Sequence, residues 1–403
     1  MIDGMITGMA KVMMIISGIL AGAAMALIIV NYGPAIEYKL TNPLVEINET
    51  PSEKYQVVGF LPYWLLTQEK PESIKSLTTL TYFGLTAGAD GEIVKFNKPG
   101  ESEPGWHALN SGKLDQFLEQ AKQLNIKSSL LIFTGNNQEI YQLLSDPVNH
   151  ADNLSREVIP ILKKYGFEDL NLDMEFTGPA TAGARINFLT FLSTLKQNLR
   201  QNQIMSLTVE TTASETVNQK LIDVGQAGKI ADQIIMMAYD FHAQGSPVTG
   251  PVSPISGGKV ILEFDISLAV DETLKELPAD KLLLGIPLYG YEWESLTAAS
   301  GSAVIPGTGV TASSKRVGQL LENCPDCQTG YDETADEAFV IFKDLHTGSI
   351  HHIFYPNQRA MAAKINLAKK RNLGGLALWA LGYESPHLLD ALDVYPAGKI
   401  RKN

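Results

Sequence analysis

From Tyr55 onward, short apolar runs rich in Val, Ile, Leu and aromatic residues alternate with longer segments of helical period. The short runs occupy 56–64, 77–85, 127–135, 168–176, 204–212, 233–241, 281–290 and 374–381. Between most of them apolar side chains recur at i, i+3 and i+4, as in 114–125, 185–200, 265–277 and 358–372. Strands alternating with amphipathic helices signal a parallel sheet covered by helices. Eight such runs within residues 55–395 predict an α/β fold, a (β/α)8 TIM barrel.

One interval breaks the rhythm. Residues 291–356 are far longer than a loop plus a helix, and they contain the strand-like pieces AFVIFKD and SIHHIFY on either side of the turn LHTG. They predict a small α+β insertion between the seventh and eighth strands, over the barrel mouth. Both cysteines of the chain, Cys324 and Cys327, fall inside it, in NCPDCQTGY. A zinc site needs two further ligands, and His346, His351 and His352 downstream match no standard spacing. A redox motif opens a helix after a strand, whereas Pro325, Asp326 and Gly330 make this a loop. The remaining expectation is a local disulfide in an oxidising compartment.

The N-terminus agrees with export. From Val12 to Val30 no charge interrupts an apolar run, and a helix of that length, at about 1.5 Å per residue, matches a hydrocarbon core of about 30 Å. It predicts a transmembrane anchor. The alternative is a cleaved signal peptide with Lys11 in its n-region and Ala21–Ala23 as the small-residue cleavage site. Residues 31–54, with three prolines and no sustained period, read as a linker. The expected location is therefore membrane-anchored with an extracytoplasmic catalytic domain, or secreted if the segment is cleaved.

Composition narrows the classes of partner. The chain has 403 residues, 45% hydrophobic and 19% charged, with a net charge of −12, which suits a globular protein with a sizeable core. It has no basic block to grip phosphates, so nucleic acid is not an expected partner. The strand ends supply few further carboxylates or histidines, so neither a metal nor another cofactor is expected.

The run EDLNLDMEF at 168–176 is unusual for a buried strand. Alternate side chains share a face, so Asp169, Asn171, Asp173 and Glu175 point one way and Leu170, Leu172 and Met174 the other. With the apolar set against the helices, the polar set faces the barrel interior and Glu175 reaches the top face, where barrel active sites are built. Crowded carboxylates resist simultaneous ionisation and hold a proton toward neutral pH. The plainer alternative is a strand end carrying solvated or salt-bridged acids.

These residues resemble glycoside hydrolase family 18, the chitinases and related N-acetylglucosaminidases. EDLNLDME is similar to the signature DGxDxDxE, MMAYDF at 236–241 to the sixth-strand MxYD, GIPLYG at 285–290 to the seventh strand and GGLALWALG at 374–382 to the eighth. The insertion also falls where chitinases carry theirs. The resemblance implies hydrolysis of β-1,4 bonds in N-acetylglucosamine-containing polysaccharide, peptidoglycan or chitin, by a retaining, substrate-assisted route. In that scheme Glu175 is the acid and base, Asp173 orients the 2-acetamido group, Tyr239 donates its hydroxyl to that group, Asp240 stands beside it and Trp379 floors the sugar site. Asn171 stands at the family's middle Asp, Asp169 at its Gly, Glu168 at its first Asp and Met174 at its usual aromatic. Asn171 hydrogen-bonds but cannot share a proton with Asp173, which implies an altered pH dependence. NxDxE together with YDFHAQGSPVTGPVSP at 239–254 resembles the bacterial branch that includes spore-cortex peptidoglycan N-acetylglucosaminidases. Tyr63, Trp64 and Trp293 are further candidates for sugar stacking, and His242 for a rim hydrogen bond. The rival reading is a glycan-binding, lectin-like protein that kept the barrel and lost the chemistry.

Overall fold

The structure, a computed structural model, describes residues 55–66, 72–218, 220–257 and 263–394. The apolar run at 12–30 and the linker at 31–54 lie outside the described residues, and among those described no helix is long and apolar enough to cross a membrane.

Eight parallel strands close into a barrel in chain order, the first pairing with both the second and the eighth. They are Gln56–Pro62, Thr79–Thr86, Lys127–Thr134, Asp169–Met174, Ser206–Thr212, Gln233–Met237, Leu282–Pro287 and Gly375–Trp379. Alternation explains the layers. One face of the strands gives an interior cluster of Val58, Phe60, Leu131, Ile235, Leu283 and Ala377. The other face, including Val57, Leu170, Leu172, Leu207, Val209 and Leu376, joins the large cluster under the helices. Burial of these apolar faces from water drives closure.

The fourth strand is held by two long helices, Pro147–Tyr165 and Ala182–Gln201. The first opens on Pro147 and stops at Gly166, whose φ of +75° closes the C-terminus without the steric cost a Cβ would add. The second starts where the Thr181 hydroxyl accepts from the Ala184 N–H, which ends the loop that follows Glu175. Leu154, Val158 and Leu162 from one helix and Phe188, Phe191 and Leu195 from the other are buried.

Two of the strand runs read from the sequence are too long. The sixth strand stops at Met237, short of Tyr239 and Asp240, because Asp240 takes a left-handed φ of +62° and turns the chain. The seventh run is two strands. Leu282–Pro287 belongs to the barrel, while Tyr289–Ser295 opens the insertion, with the Leu288 N–H donating to the Trp379 carbonyl at 2.6 Å between them. A Cβ on Gly290 would lie 1.7 Å from the Phe354 carbonyl oxygen, so glycine permits that crossing.

The insertion is a five-stranded antiparallel sheet in the order Val310–Ser313, Tyr289–Ser295, Ile350–Tyr355, Glu337–Lys343 and Gln328–Asp332. The helix Ser314–Asn323 covers it, its Val317 packing with Ala312, Val340 and Ile353 of the sheet. Cys324 and Cys327 form a disulfide in the loop between that helix and the next strand. The buried Glu337 carboxylate accepts the Val252 and Ser253 N–H groups at 2.9 and 2.8 Å, tying the sheet to the loop after the sixth barrel strand.

Candidate active site

At the C-terminal end of the barrel lies a cavity of about 280 Å³. Asp173, Glu175, Tyr239, Asp240 and Trp379 all border it, although they come from three segments of the chain. Asp173 is the last inward residue of the fourth strand and is buried; Glu175 lies one rung beyond, its N–H bonded to the Thr134 carbonyl and its carboxylate exposed at the mouth. Tyr239 and Asp240 follow the sixth strand. Gly285 makes room for them: a Cβ there would stand 2.5 Å from the Met236 carbonyl and 3.2 Å from the Tyr239 ring.

The acids perturb one another. Burial raises the Asp173 carboxyl well above the ordinary carboxylate range, and the Glu175 charge raises it further. Desolvation by the cavity wall and the Asp240 charge raise Glu175, while Lys220 pulls it down. Burial also keeps the Tyr239 phenol protonated, with Glu210 the largest charge acting on it. The site therefore favours protonated carboxyls above the ordinary carboxylate range and keeps a hydroxyl donor beside them.

Asp240 is held by two tyrosines of the insertion strand. The Tyr289 hydroxyl donates to Oδ1 at 2.5 Å and the Tyr291 hydroxyl at 3.2 Å. Desolvation by the surrounding cavity wall raises the carboxyl of this otherwise exposed residue, and both bonds oppose it by favouring the ionised form. Trp379 forms an aromatic wall with Phe83 (centroids 4.9 Å apart, 80°) and Phe60 (5.5 Å, 56°).

Other candidates sit elsewhere. Trp293 does not line the cavity: it is fully buried against Val252, Tyr291 and Phe354, and its indole N–H donates to the Ala243 carbonyl at 3.2 Å. The hydropathic and hydrogen-bonding demands of the insertion's seat take its ring, which corrects its reading as a sugar-stacking residue. His242 is likewise buried, bonded through Nδ1 to the Pro251 carbonyl, and is not at the rim. Asn171 is buried below the cavity rather than in its wall, with Nδ2 donating to Glu210 Oε1 at 2.6 Å. Tyr63 and Trp64 follow the first strand in a 3-10 turn and do not border the cavity. Trp64 is 41% exposed and reaches the site through its neighbours, bonding Tyr383 and meeting the Trp379 ring edge-on.

Lower in the barrel, Asp169 accepts from the hydroxyls of Ser129, Ser206 and Thr208. The polar row of the fourth strand thus splits: Asp169 is satisfied by hydroxyls, and only Asp173 and Glu175 reach the upper cavity. The residue that pattern reading missed is Glu210. It lies on the fifth strand, 2% exposed, in the wall of the same cavity. Its signal was the alternation Ser206, Thr208, Glu210 in SLTVETT, a second polar row beside the first. Among the described residues no group of three His, Cys, Asp or Glu side chains has the arrangement of a metal site.

Barrel and cavity together define an acid-lined site at the C-terminal end of a (β/α)8 barrel. More specifically, residues 56–384 match the model of the glycosyl hydrolases family 18, and the chain belongs to that family. Among curated relatives it is 27% identical over 249 residues to the cortical fragment-lytic enzyme of Bacillus subtilis, covering 62% of this chain and 54% of that protein. It is 24% identical over 314 residues to the cortical fragment-lytic enzyme of Bacillus cereus, covering 77% and 66%. The chain thus spans less than two thirds of the length of these relatives. Among solved structures, a family 18 chitinase from Cycas revoluta in complex with (GlcNAc)3 superposes with a TM-score of 0.72 at 22% identity, covering 84% of this chain and 99% of that one. The Bacillus cereus spore cortex-lytic enzyme SleL gives 0.64 at 22% identity, covering 84% and 74%.

Proposed function

We propose that this glycosidase cleaves β-1,4 bonds next to N-acetylglucosamine in bacterial cell-wall glycan, with retention and with the substrate's own acetamido group as nucleophile. The observation that carries the reading is the shared cavity of Asp173, Glu175, Tyr239 and Asp240, in which an exposed Glu175 carboxyl is raised above the ordinary carboxylate range. Glu175 passes its proton to the glycosidic oxygen as the acetamido oxygen attacks the anomeric carbon, so one C–O bond forms as the other breaks. Asp173 accepts the acetamido N–H and offsets the positive charge of the oxazolinium ion. Tyr239 donates to the acetamido oxygen, and Trp379 lies under the ring. Glu175 then takes a proton from water, which opens the ion and restores the enzyme.

The choice of peptidoglycan is supported by the two cortical fragment-lytic relatives and by the NxDxE form of the fourth strand. Localisation belongs to the same proposal: the 12–30 run anchors or exports the chain, and the cysteine pair suits an oxidising compartment. Reducing ends released from peptidoglycan and from chitin oligosaccharides by the purified full chain test it, beside Glu175→Gln. The reading requires release by the wild type and a loss of about 10²- to 10⁴-fold in the variant, the range for a general acid. A wild type that binds glycan and cuts neither polymer would instead support the lectin-like alternative.

A further inference from the structure

Four carboxyls, Asp173, Glu175, Glu210 and Asp240, border the cavity, and no lysine, arginine or histidine does so among its described lining residues. Carboxyls so crowded resist simultaneous ionisation. Two of them, Asp173 and Glu210, are almost wholly buried, at 4% and 2% exposure. Strand register sets them side by side. Asn171 pairs with Thr208 and Leu172 with Val209, so the next residues on the two strands, Asp173 and Glu210, stand at one height facing inward. Asn171, one inward rung below Asp173, fixes Glu210 through its 2.6 Å amide bond to Oε1. Asp173 Oδ1 is buried with no hydrogen-bond partner among the described residues. That is a costly state for an ionised oxygen, and a proton shared with a neighbouring acid relieves it.

We propose that Glu210 supplies the acid that Asn171 cannot, so that the proton-sharing pair of this enzyme spans two strands, Asp173 on the fourth and Glu210 on the fifth. The proposal deepens the glycosidase reading above and rests on it. At rest the pair carries one proton, on Asp173. As positive charge develops on the oxazolinium, that proton moves from an Asp173 oxygen to a Glu210 oxygen, leaving the Asp173 anion facing the acetamido N–H; it returns when the ion is opened by water. No proton is gained or lost by the pair. Asn171 is a positioning residue, since its amide donates only to Glu210 and keeps that carboxylate aimed at its neighbour. The groups facing the pair agree with this assignment. Asp169 lies on the fourth strand and Glu175 just past its end, Tyr239 and Asp240 come from the loop after the sixth, and none is a cation; Lys220 acts on Glu175. Burial first, then Asp173, raises the Glu210 carboxyl well above its ordinary range.

The test uses the full chain with Glu210→Gln, Asn171→Asp and the double variant, each checked for a cooperative melting transition, with kcat, KM and pH profile measured on one oligosaccharide substrate. Glu210→Gln should lower kcat about tenfold or more with KM unchanged and should alter the pH profile, the signature of a group that acts in the transition state. The double variant, which restores an acid to the fourth strand, should recover most of that loss. A wild-type profile in Glu210→Gln, or a double variant no better than Glu210→Gln, overturns the proposal. A second readout needs no substrate: carboxyl-carbon NMR titration of Asp173 should show in wild type a step linked to Glu210 that is absent from Glu210→Gln. Identical titrations in the two proteins overturn the pair even if both are active. Should wild type and Glu175→Gln prove equally inactive, the glycosidase reading fails, and the NMR titration still decides the shared proton.

Discussion

Asp240 hangs from two tyrosine hydroxyls of the insertion, which makes Tyr289→Phe a probe of how the insertion tunes the acid. The variant keeps the ring, whose contacts with Tyr239 and Tyr291 are edge-on, and removes the 2.5 Å bond to Asp240. A hydrogen bond to a charged group is worth about 1.5–3 kcal/mol. Because Asp240 is exposed, screening puts this one at the lower end, about 1.5 kcal/mol. With that stabilisation of the anion gone, the Asp240 carboxyl should rise further. The sign then propagates. A larger fraction of Asp240 is neutral at a given pH, the charge that raises Glu175 weakens, and Glu175 loses its proton at a lower pH. Glu175 must be protonated to act as the acid, so the alkaline limb of kcat/KM should move to lower pH, by less than the change at Asp240 itself. The assay is kcat/KM on a fluorogenic oligosaccharide from about pH 4 to about pH 9. Tyr291→Phe, which removes the longer 3.2 Å bond, should give a smaller shift in the same direction. An alkaline limb that stays in place in Tyr289→Phe, or moves upward, would refute the reasoning.

Three further outcomes follow from the same geometry. Trp293→Ala should destabilise the fold by about 3–5 kcal/mol, the usual cost of emptying a buried aromatic site, as read by urea denaturation; a loss under 1 kcal/mol would mean the ring is not a core element. Trp379→Ala should weaken oligosaccharide binding about tenfold, near 1.4 kcal/mol, measured by calorimetry on Glu175→Gln to prevent turnover; unchanged affinity would remove Trp379 from the sugar floor. Asp173 and Glu210 have folded pKa values above the ordinary carboxylate value of about 4, so the stability they give is fully present below that value and is lost as pH rises through their raised ones. Unfolding free energy should therefore fall from about pH 4 upward, and Glu210→Gln should flatten the fall; an unaltered slope counts against burial as the cause.

What the sequence determined by itself is the part governed by local periodicity. Each of the eight apolar runs overlaps a barrel strand, because a parallel strand buried on both faces must be apolar along most of its length. The fourth strand betrayed itself by breaking that rule: period two put Asp173 and Glu175 on one face, and only a polar-lined interior can accept them. Its neighbour's polar row, Thr208 and Glu210, obeyed the same alternation but carried a single carboxylate and drew no notice. Its meaning depends on the register that sets Glu210 beside Asp173, and register is a relation between two strands that neither contains. Trp293 shows the converse. An aromatic after a barrel strand suggests a sugar platform, yet its burial was decided by Val252 and Phe354, the latter more than sixty positions away in the chain and brought to it by folding of the insertion. The run 281–290 looked continuous because apolarity does not reveal a change of sheet, which here depends on Leu288 finding the Trp379 carbonyl and Gly290 clearing Phe354. Side-chain period thus determined which residues face inward, whereas closure of the barrel and docking of the insertion decided which inward residues meet, since electrostatic coupling and packing act between groups close in space whatever their separation in sequence.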